Sequence, residues 1–323
     1  MALVMLAAAI ILWPITIKQG ANLRASCEKL RENIAGEREA IESIDYARTE
    51  FDKLLMVAVL DIGQGDSIIV KTPDKKVILI DGGPFYDPHI HGGAGREVIL
   101  PFLKRIGAEK IDMLVLTHSD ADHLGGLLNV LKGIPVESVL DQVIPKFTDL
   151  YDEYLDLLKK KGTRYIAADA GQVLNWGNKV YAQVLWPEVA LEKRKDLTNV
   201  NLYSIVIKMV YGDVSFLFTG DIEKTAEKDL LAYGHGLKST FLKAPHHGSK
   251  TSSIGSFLKY VDPQVILISA GLGNKFGHPS PEVVKRYEKM RCGIYRTDTD
   301  GTILVYTNGI EYRIATEKEE ASS

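Results

Sequence analysis

The chain has 323 residues, of which 46% are hydrophobic and 25% charged, and its formal net charge is −3. That is a globular composition with no global pull toward nucleic acid, so any such binding needs a local basic patch. Two cysteines, Cys27 and Cys292, exclude a disulfide framework and a Cys-x-x-Cys metal motif.

Ala2 to Ile17 is almost wholly apolar, is broken by Pro14 and is followed by Lys18. It is short of the roughly 20 residues of a comfortable span, and no basic n-region precedes it. An N-terminal anchor, the last membrane helix of a larger protein, an atypical cleaved signal and a buried helix all fit. Lys18, Arg24, Lys29 and Arg31 follow, but Glu28, Glu32, Glu37 and Glu39 dilute them, so the orientation stays open. The expected division is 1–19 apolar anchor or signal-like helix, 20–52 helical linker, 53–314 main domain and 315–323 tail.

In the main domain the pattern predicts strands over Leu54 to Leu60, Ile68 to Lys71 and Val77 to Ile80. A helix over Glu97 to Ile106 and a strand over Ile111 to Leu116 follow, then a helix from Leu124. Val136 to Val143 reads as strand, Leu150 to Lys161 as amphipathic helix, Lys179 to Leu185 as strand and 187–201 as a polar excursion. Ser204 to Val210 and Val214 to Thr219 are strands about a Tyr211-Gly212-Asp213 turn, and Ile222 to Leu231 is a helix. Phe241 to Ala244, Val265 to Ser269 and Ile303 to Tyr306 are short strands, and Pro281 to Met290 is a helix. Two sets of strands, each followed by helices, predict an α/β core of four layers.

The chemistry gathers at strand ends. Thr117-His118-Ser119-Asp120-Ala121-Asp122-His123-Leu124-Gly125-Gly126 offers two imidazoles and two carboxylates on one turn, a donor set suited to a divalent metal. Phe218-Thr219-Gly220-Asp221 ends a strand in a carboxylate that can complete or bridge a two-metal site, or cap the next helix. In Pro245-His246-His247-Gly248-Ser249 one histidine would bind metal and the other would orient substrate or move protons, and the order is open. Ser249 can bond a phosphate or cap a helix. His278, between Gly277 and Pro279, is a further ligand or proton donor. Asp61, Asp66 and Asp81 lie in glycine-rich turns, where they shape the turn or hold a ligand histidine from behind. Lys243, Lys250, Lys275 and Arg296 are candidates for a basic patch.

This ordered series resembles the metallo-β-lactamase-fold superfamily, and within it the extracytoplasmic domain of the ComEC/Rec2 competence proteins. The matching landmarks begin at Leu60-Asp61-Ile62-Gly63-Gln64-Gly65-Asp66 and Ile80-Asp81-Gly82-Gly83. They continue through the four segments above to Arg296-Thr297-Asp298-Thr299-Asp300-Gly301. The resemblance implies an αββα sandwich with a metal cleft at one edge. It also implies two divalent ions, manganese or zinc with magnesium a third candidate. His118, Asp120, Asp122, His123, Asp221 and His246 would hold metal. Asp122, His247 and His278 would act in catalysis. Asp61, Asp66, Asp81, Asn201 and Ser249 would stand behind them. Asp120 replaces a superfamily histidine, and Asn201 to Ser204 occupies the place of another. Both exchanges favour oxygen-loving manganese and speak against β-lactam hydrolysis. The implied activity is a phosphodiesterase, a DNA nuclease of competence type. Its partners would be DNA, the membrane through the N-terminal segment, and DNA-uptake channel proteins. The catalytic domain would be anchored outside the cytoplasm, or secreted if the segment is cleaved. Alternatives are a hydrolase of a cell-envelope phosphoester and a non-catalytic DNA-binding or assembly domain.

Overall fold

A computed structural model describes residues 53–86, 93–144, 146, 148–188 and 199–320. The expected anchor (1–19) and the expected linker (20–52) lie outside the described residues, as do residues 189–198 of the polar excursion. Among the described residues, no helix is long and apolar enough to cross a membrane.

Fifteen strands are described. The first six are β1 (Leu55–Val59), β2 (Ile68–Lys71), β3 (Val77–Ile80), β4 (Met113–Leu116), β5 (Ser138–Asp141) and β6 (Arg164–Ala167). Next come β7 (Val173–Asn175), β8 (Val180–Trp186), β9 (Val206–Tyr211), β10 (Val214–Phe218), β11 (Phe241–Lys243), β12 (Val265–Ile268) and β13 (Gly293–Arg296). β14 (Ile303–Thr307) and β15 (Tyr312–Thr316) close the series. One sheet has the order β15-β14-β1-β2-β3-β4-β5-β6, the other β13-β12-β11-β10-β9-β8-β7. The pairing of β15 with β14 runs to Thr316, past the expected domain end at 314, and a helical turn, Glu317–Glu320, follows.

The alternation of side chains along each strand explains the layering. In β1, Leu55, Val57 and Val59 join a core shared by both sheets, while Met56 and Ala58 turn to the other face. In β12, Val265 and Leu267 face the shared core and Ile266 and Ile268 face away. The helices Leu100–Arg105, Leu127–Gly133 and Asp149–Lys161 cover the outer face of the first sheet. Lys224–Leu230, Gly255–Val261 and Pro281–Glu288 cover that of the second. Strands covered on both faces need no polar positions, so β1, β3, β4 and β12 are buried throughout. The four layers are those expected.

Parallel pairing dominates where the chemistry lies. β3, β4, β5 and β6 run parallel, as do β10, β11, β12 and β13. Each set therefore ends its strands on one edge, where loops leave backbone and side chains free to bind.

Candidate metal centre

β3 delivers Asp81 to this edge, β4 delivers Thr117 and His118, and the turn between β1 and β2 delivers Asp66. A helical turn, Ala121–Leu124, carries Asp122 and His123. β10 delivers Asp221, and β11 delivers His246 and His247. At Gly65 (φ +137°) the chain passes so close that a Cβ would stand 2.1 Å from the Asp122 carbonyl oxygen, so glycine is required. His246 and His247 occupy the left-handed region, at φ 48° and 54°, a strain of about 1–3 kcal/mol each. Hydrogen bonds hold the turn: the His246 amide donates to Gly220 O at 3.1 Å, and Ser252 Oγ to Pro245 O at 3.0 Å.

Three imidazoles face inward in the same manner. Asp81 Oδ2 lies 2.8 Å from His123 Nδ1, Ser269 O 3.0 Å from His247 Nδ1, and Ser204 Oγ 3.1 Å from His118 Nδ1. Each Nδ1 is thus engaged from behind, the pattern that orients a metal-binding histidine. The Nε2 atoms of all three, with Asp221 Oδ1, are buried and lack hydrogen-bond partners. Asp221 Oδ2 stands 3.3 Å from His123 Nε2 and 3.2 Å from His247 Nε2, and Asp122 Oδ2 is 3.7 Å from His247 Nε2. Unpaired polar atoms are costly inside a protein. A divalent cation fits them: nitrogen and carboxylate oxygen converge, within 4.8 Å of one another, as His118–His123–Asp221 and as Asp122–His123–His247.

Electrostatics match such a cluster. Burial, and then His123 beside it, push His118 down to about 3, so it is neutral. Burial opposes charge on His247, but Asp221 and Asp66 outweigh it and raise the imidazole to about 10. Burial also works against the Asp221 carboxylate, yet His247 and His123 hold it well below the usual range. The carboxylates therefore draw positive charge into a buried place.

The remaining expected residues divide. Asp120 stays beside His118, with Oδ2 3.7 Å from Nε2, but Lys146 engages its other oxygen, and it falls outside the donor groups found among the described residues. His246 Nε2 is 3.6 Å from Asp221 Oδ2 while Nδ1 faces Glu223 Oε1 at 3.6 Å. The His278 ring lies 5.5 Å from that of His246. Asp66 Oδ1 is 3.2 Å from His247 Nδ1. Ser249 Oγ meets Thr251 Oγ1 at 3.0 Å, and Thr251 Oγ1 is 3.4 Å from His246 Nδ1. Asp61 Oδ1 accepts from the Gly63 amide at 3.4 Å, shaping its own turn. Asn201 builds the turn Val200–Tyr203, its amide donating to Asn199 Oδ1, and the side chain that reaches His118 is that of Ser204.

Sequence reasoning passed over Thr117, whose Oγ1 donates to Asp81 Oδ2 at 2.6 Å, and Glu223. The expected basic patch is corrected at two of its four members: Lys243 is buried against Asp66, and Arg296 is paired with Asp298, while Lys250 and Lys275 are exposed. Lys243 extends from a fully buried strand, and Arg296 meets a carboxylate two residues away.

The sequence model of the metallo-beta-lactamase superfamily matches residues 60–271. The chain belongs to the metallo-β-lactamase superfamily. Within that superfamily it is homologous to competence proteins. It is 33% identical over 259 residues to ComE operon protein 3 of Bacillus subtilis, covering 76% of this chain and 32% of that protein. It is 33% identical over 248 residues to competence protein ComA of Neisseria gonorrhoeae (76% and 31%). It is 31% identical over 251 residues to recombination protein 2 of Haemophilus influenzae (77% and 28%). The chain thus spans about a third of the length of these relatives. Among solved structures, a mutant of the CmlA beta-hydroxylase aligns with a TM-score of 0.50 at 15% identity, over 78% of this chain and 54% of that one, a likeness of fold. Superfamily membership and the converging donors together support a metal-dependent hydrolase.

Proposed function

We propose that the chain is a two-metal phosphodiesterase that cuts DNA in DNA uptake. The observation that carries this reading is the set of three buried imidazoles, each engaged at Nδ1 and each presenting a bare Nε2 toward acidic groups. His118, His123 and Asp221 would hold one divalent ion, and Asp122 and His247, with help from Asp221, would hold the other. Asp120 and His246 stand beside them as further donors. The oxygen content of the set favours manganese, with zinc and magnesium as the other candidates. Bound metal supplies Lewis acidity, which activates water and offsets charge on the phosphoryl oxygens.

The chain's own groups do the rest. Asp122, with its side chain 32% exposed, is the open carboxylate of the cluster and takes the proton of the water that attacks phosphorus, while the P–O bond to the leaving sugar oxygen breaks and that oxygen takes a proton from solvent. His278 is half-buried, and burial followed by its His247 and His246 neighbours lowers it to about 4. As a neutral imidazole it donates an N–H to a phosphoryl oxygen. Segment 1–19 anchors the chain, 20–52 links it to the catalytic domain outside the cytoplasm, and uptake-channel proteins are its neighbours. Similarity to the competence proteins supports this placement.

The test incubates the full chain with linear single- and double-stranded DNA and manganese, zinc or magnesium. Metal-dependent cleavage is expected, with Asp122→Ala slowing it by about a hundredfold or more while circular dichroism stays native. Hydrolysis of a small phosphoester with no cleavage of DNA overturns the nuclease reading.

A further inference from the structure

A cleft of about 650 Å³ adjoins the centre at Asp122. Phe85, Tyr86, Leu272 and Phe276 line it, together with Asp122 and Lys275. Large apolar side chains left in water are normally scattered over a surface, and their concentration marks a binding site. Here four of the six most exposed large hydrophobics among the described residues line one cleft: Tyr86 at 66%, Leu272 at 65%, Phe276 at 56% and Phe85 at 54%.

Two of the aromatics, Phe85 and Phe276, are exposed yet anchored. A Cβ on Gly125 would stand 2.1 Å from the Phe85 amide nitrogen, and one on Gly93 would stand 2.1 Å from its carbonyl oxygen. Two glycines therefore grip the Phe85 backbone while its ring stays in solvent. The Phe276 ring stacks on His278, with centroids 5.9 Å apart and planes at 18°. The Lys275 ammonium lies 5.1 Å from the Phe276 centroid. The cleft thus combines aromatic planes with a cation, and it meets the metal centre at Asp122, with His278 stacked on the Phe276 ring.

We infer that this cleft stacks the unpaired bases of a DNA strand next to the phosphodiester held at the metal centre. The inference rests on the phosphodiesterase reading for the position of the strand. Aromatic planes beside a cation suit a base and its phosphate, and stacking is tolerant of sequence. A duplex keeps its base faces stacked inside, so the cleft selects single strands.

Binding to the full chain tests this in a chelator, where no strand is cut. The probes are a labelled oligothymidylate and an abasic strand with the same phosphates. Wild type is expected to hold the oligothymidylate about tenfold tighter or more, as stacking on aromatics predicts. Phe85→Ala/Tyr86→Ala is expected to bring that ratio close to one. Phe85→Tyr/Tyr86→Phe, which keeps both planes, is expected to retain it. Equal affinity of wild type for the two strands, or loss of the preference in the conservative variant, overturns the inference. The phosphodiesterase reading is judged separately by metal-dependent cleavage. A chain that prefers bases but never cuts leaves the cleft standing and removes the nuclease.

Discussion

Lys243 Nζ lies 2.7 Å from Asp66 Oδ2, and the two side chains are only 1% and 2% exposed. The pair ties the turn between β1 and β2 in the first sheet to β11 in the second. Its far side reaches the metal centre, because Asp66 also contacts His247. Burial disfavours the Asp66 carboxylate, but Lys243 and His247 outweigh it and keep the group ionised. A lysine expected to greet phosphate instead holds a histidine support in place.

Removing one member strands the other charge. Lys243→Met is expected to cost about 3–5 kcal/mol in urea unfolding. Lys243→Met/Asp66→Asn should recover part of that loss. A single variant within about 1 kcal/mol of wild type would contradict the buried pair.

Asp81→Asn tests the support behind His123. Asp81 also accepts from the Thr117 amide at 2.8 Å, and its backbone is left-handed at φ 57°. Asparagine tolerates that region, so the fold should survive. Metal affinity by titration calorimetry is expected to fall about 10–100-fold. Unchanged affinity would show that Asp81 does not orient a ligand.

Metal should stabilise the folded chain. At about a hundred times the dissociation constant, manganese or zinc is expected to add about 3 kcal/mol to unfolding. Melting with metal and with chelator reads the difference directly. Asp221→Ala, which removes the carboxylate shared by the imidazoles, should abolish it.

Asp141 provides a pH test away from the metal donors. Burial lifts this carboxyl to about 6, against the opposing pull of the Val143 amide and of the Tyr154, Tyr165 and Tyr151 hydroxyls around it. Between the unfolded value of 3.8 and the folded value of about 6, the folded chain keeps a proton that the unfolded chain has lost. Its contribution is therefore complete below the unfolded value and is lost as pH rises through about 6. The loss amounts to about 3 kcal/mol. Urea titrations from acid to neutral pH should show Asp141→Asn lacking this fall, and parallel curves for the two proteins would refute the assignment.

The interior of both sheets was legible as continuous apolar runs, since strands covered on both faces carry no polar alternation. The strands that sequence reasoning passed over are β6, β7, β13 and β15, and all four lie at sheet edges. Edge strands bury less: β6 is exposed at three of its four residues. The donor segments were legible because ligands at strand ends sit close together in sequence. Their supports were not. The Thr117 and Ser204 hydroxyls and the Ser269 carbonyl are ordinary groups until the fold sets them against an imidazole or its carboxylate. Lys243 shows no sign in sequence of facing Asp66, 177 positions before it.

Three of the four donor groups draw atoms from both sheets, and the fourth, Asp66–Asp81–His123, belongs to the first sheet alone. A nascent chain that stops short of Asp221 has already emitted His118, Asp122 and His123, yet each of the three groups that span the sheets still lacks a donor. Those three groups are complete only once both sheets have been made and packed together.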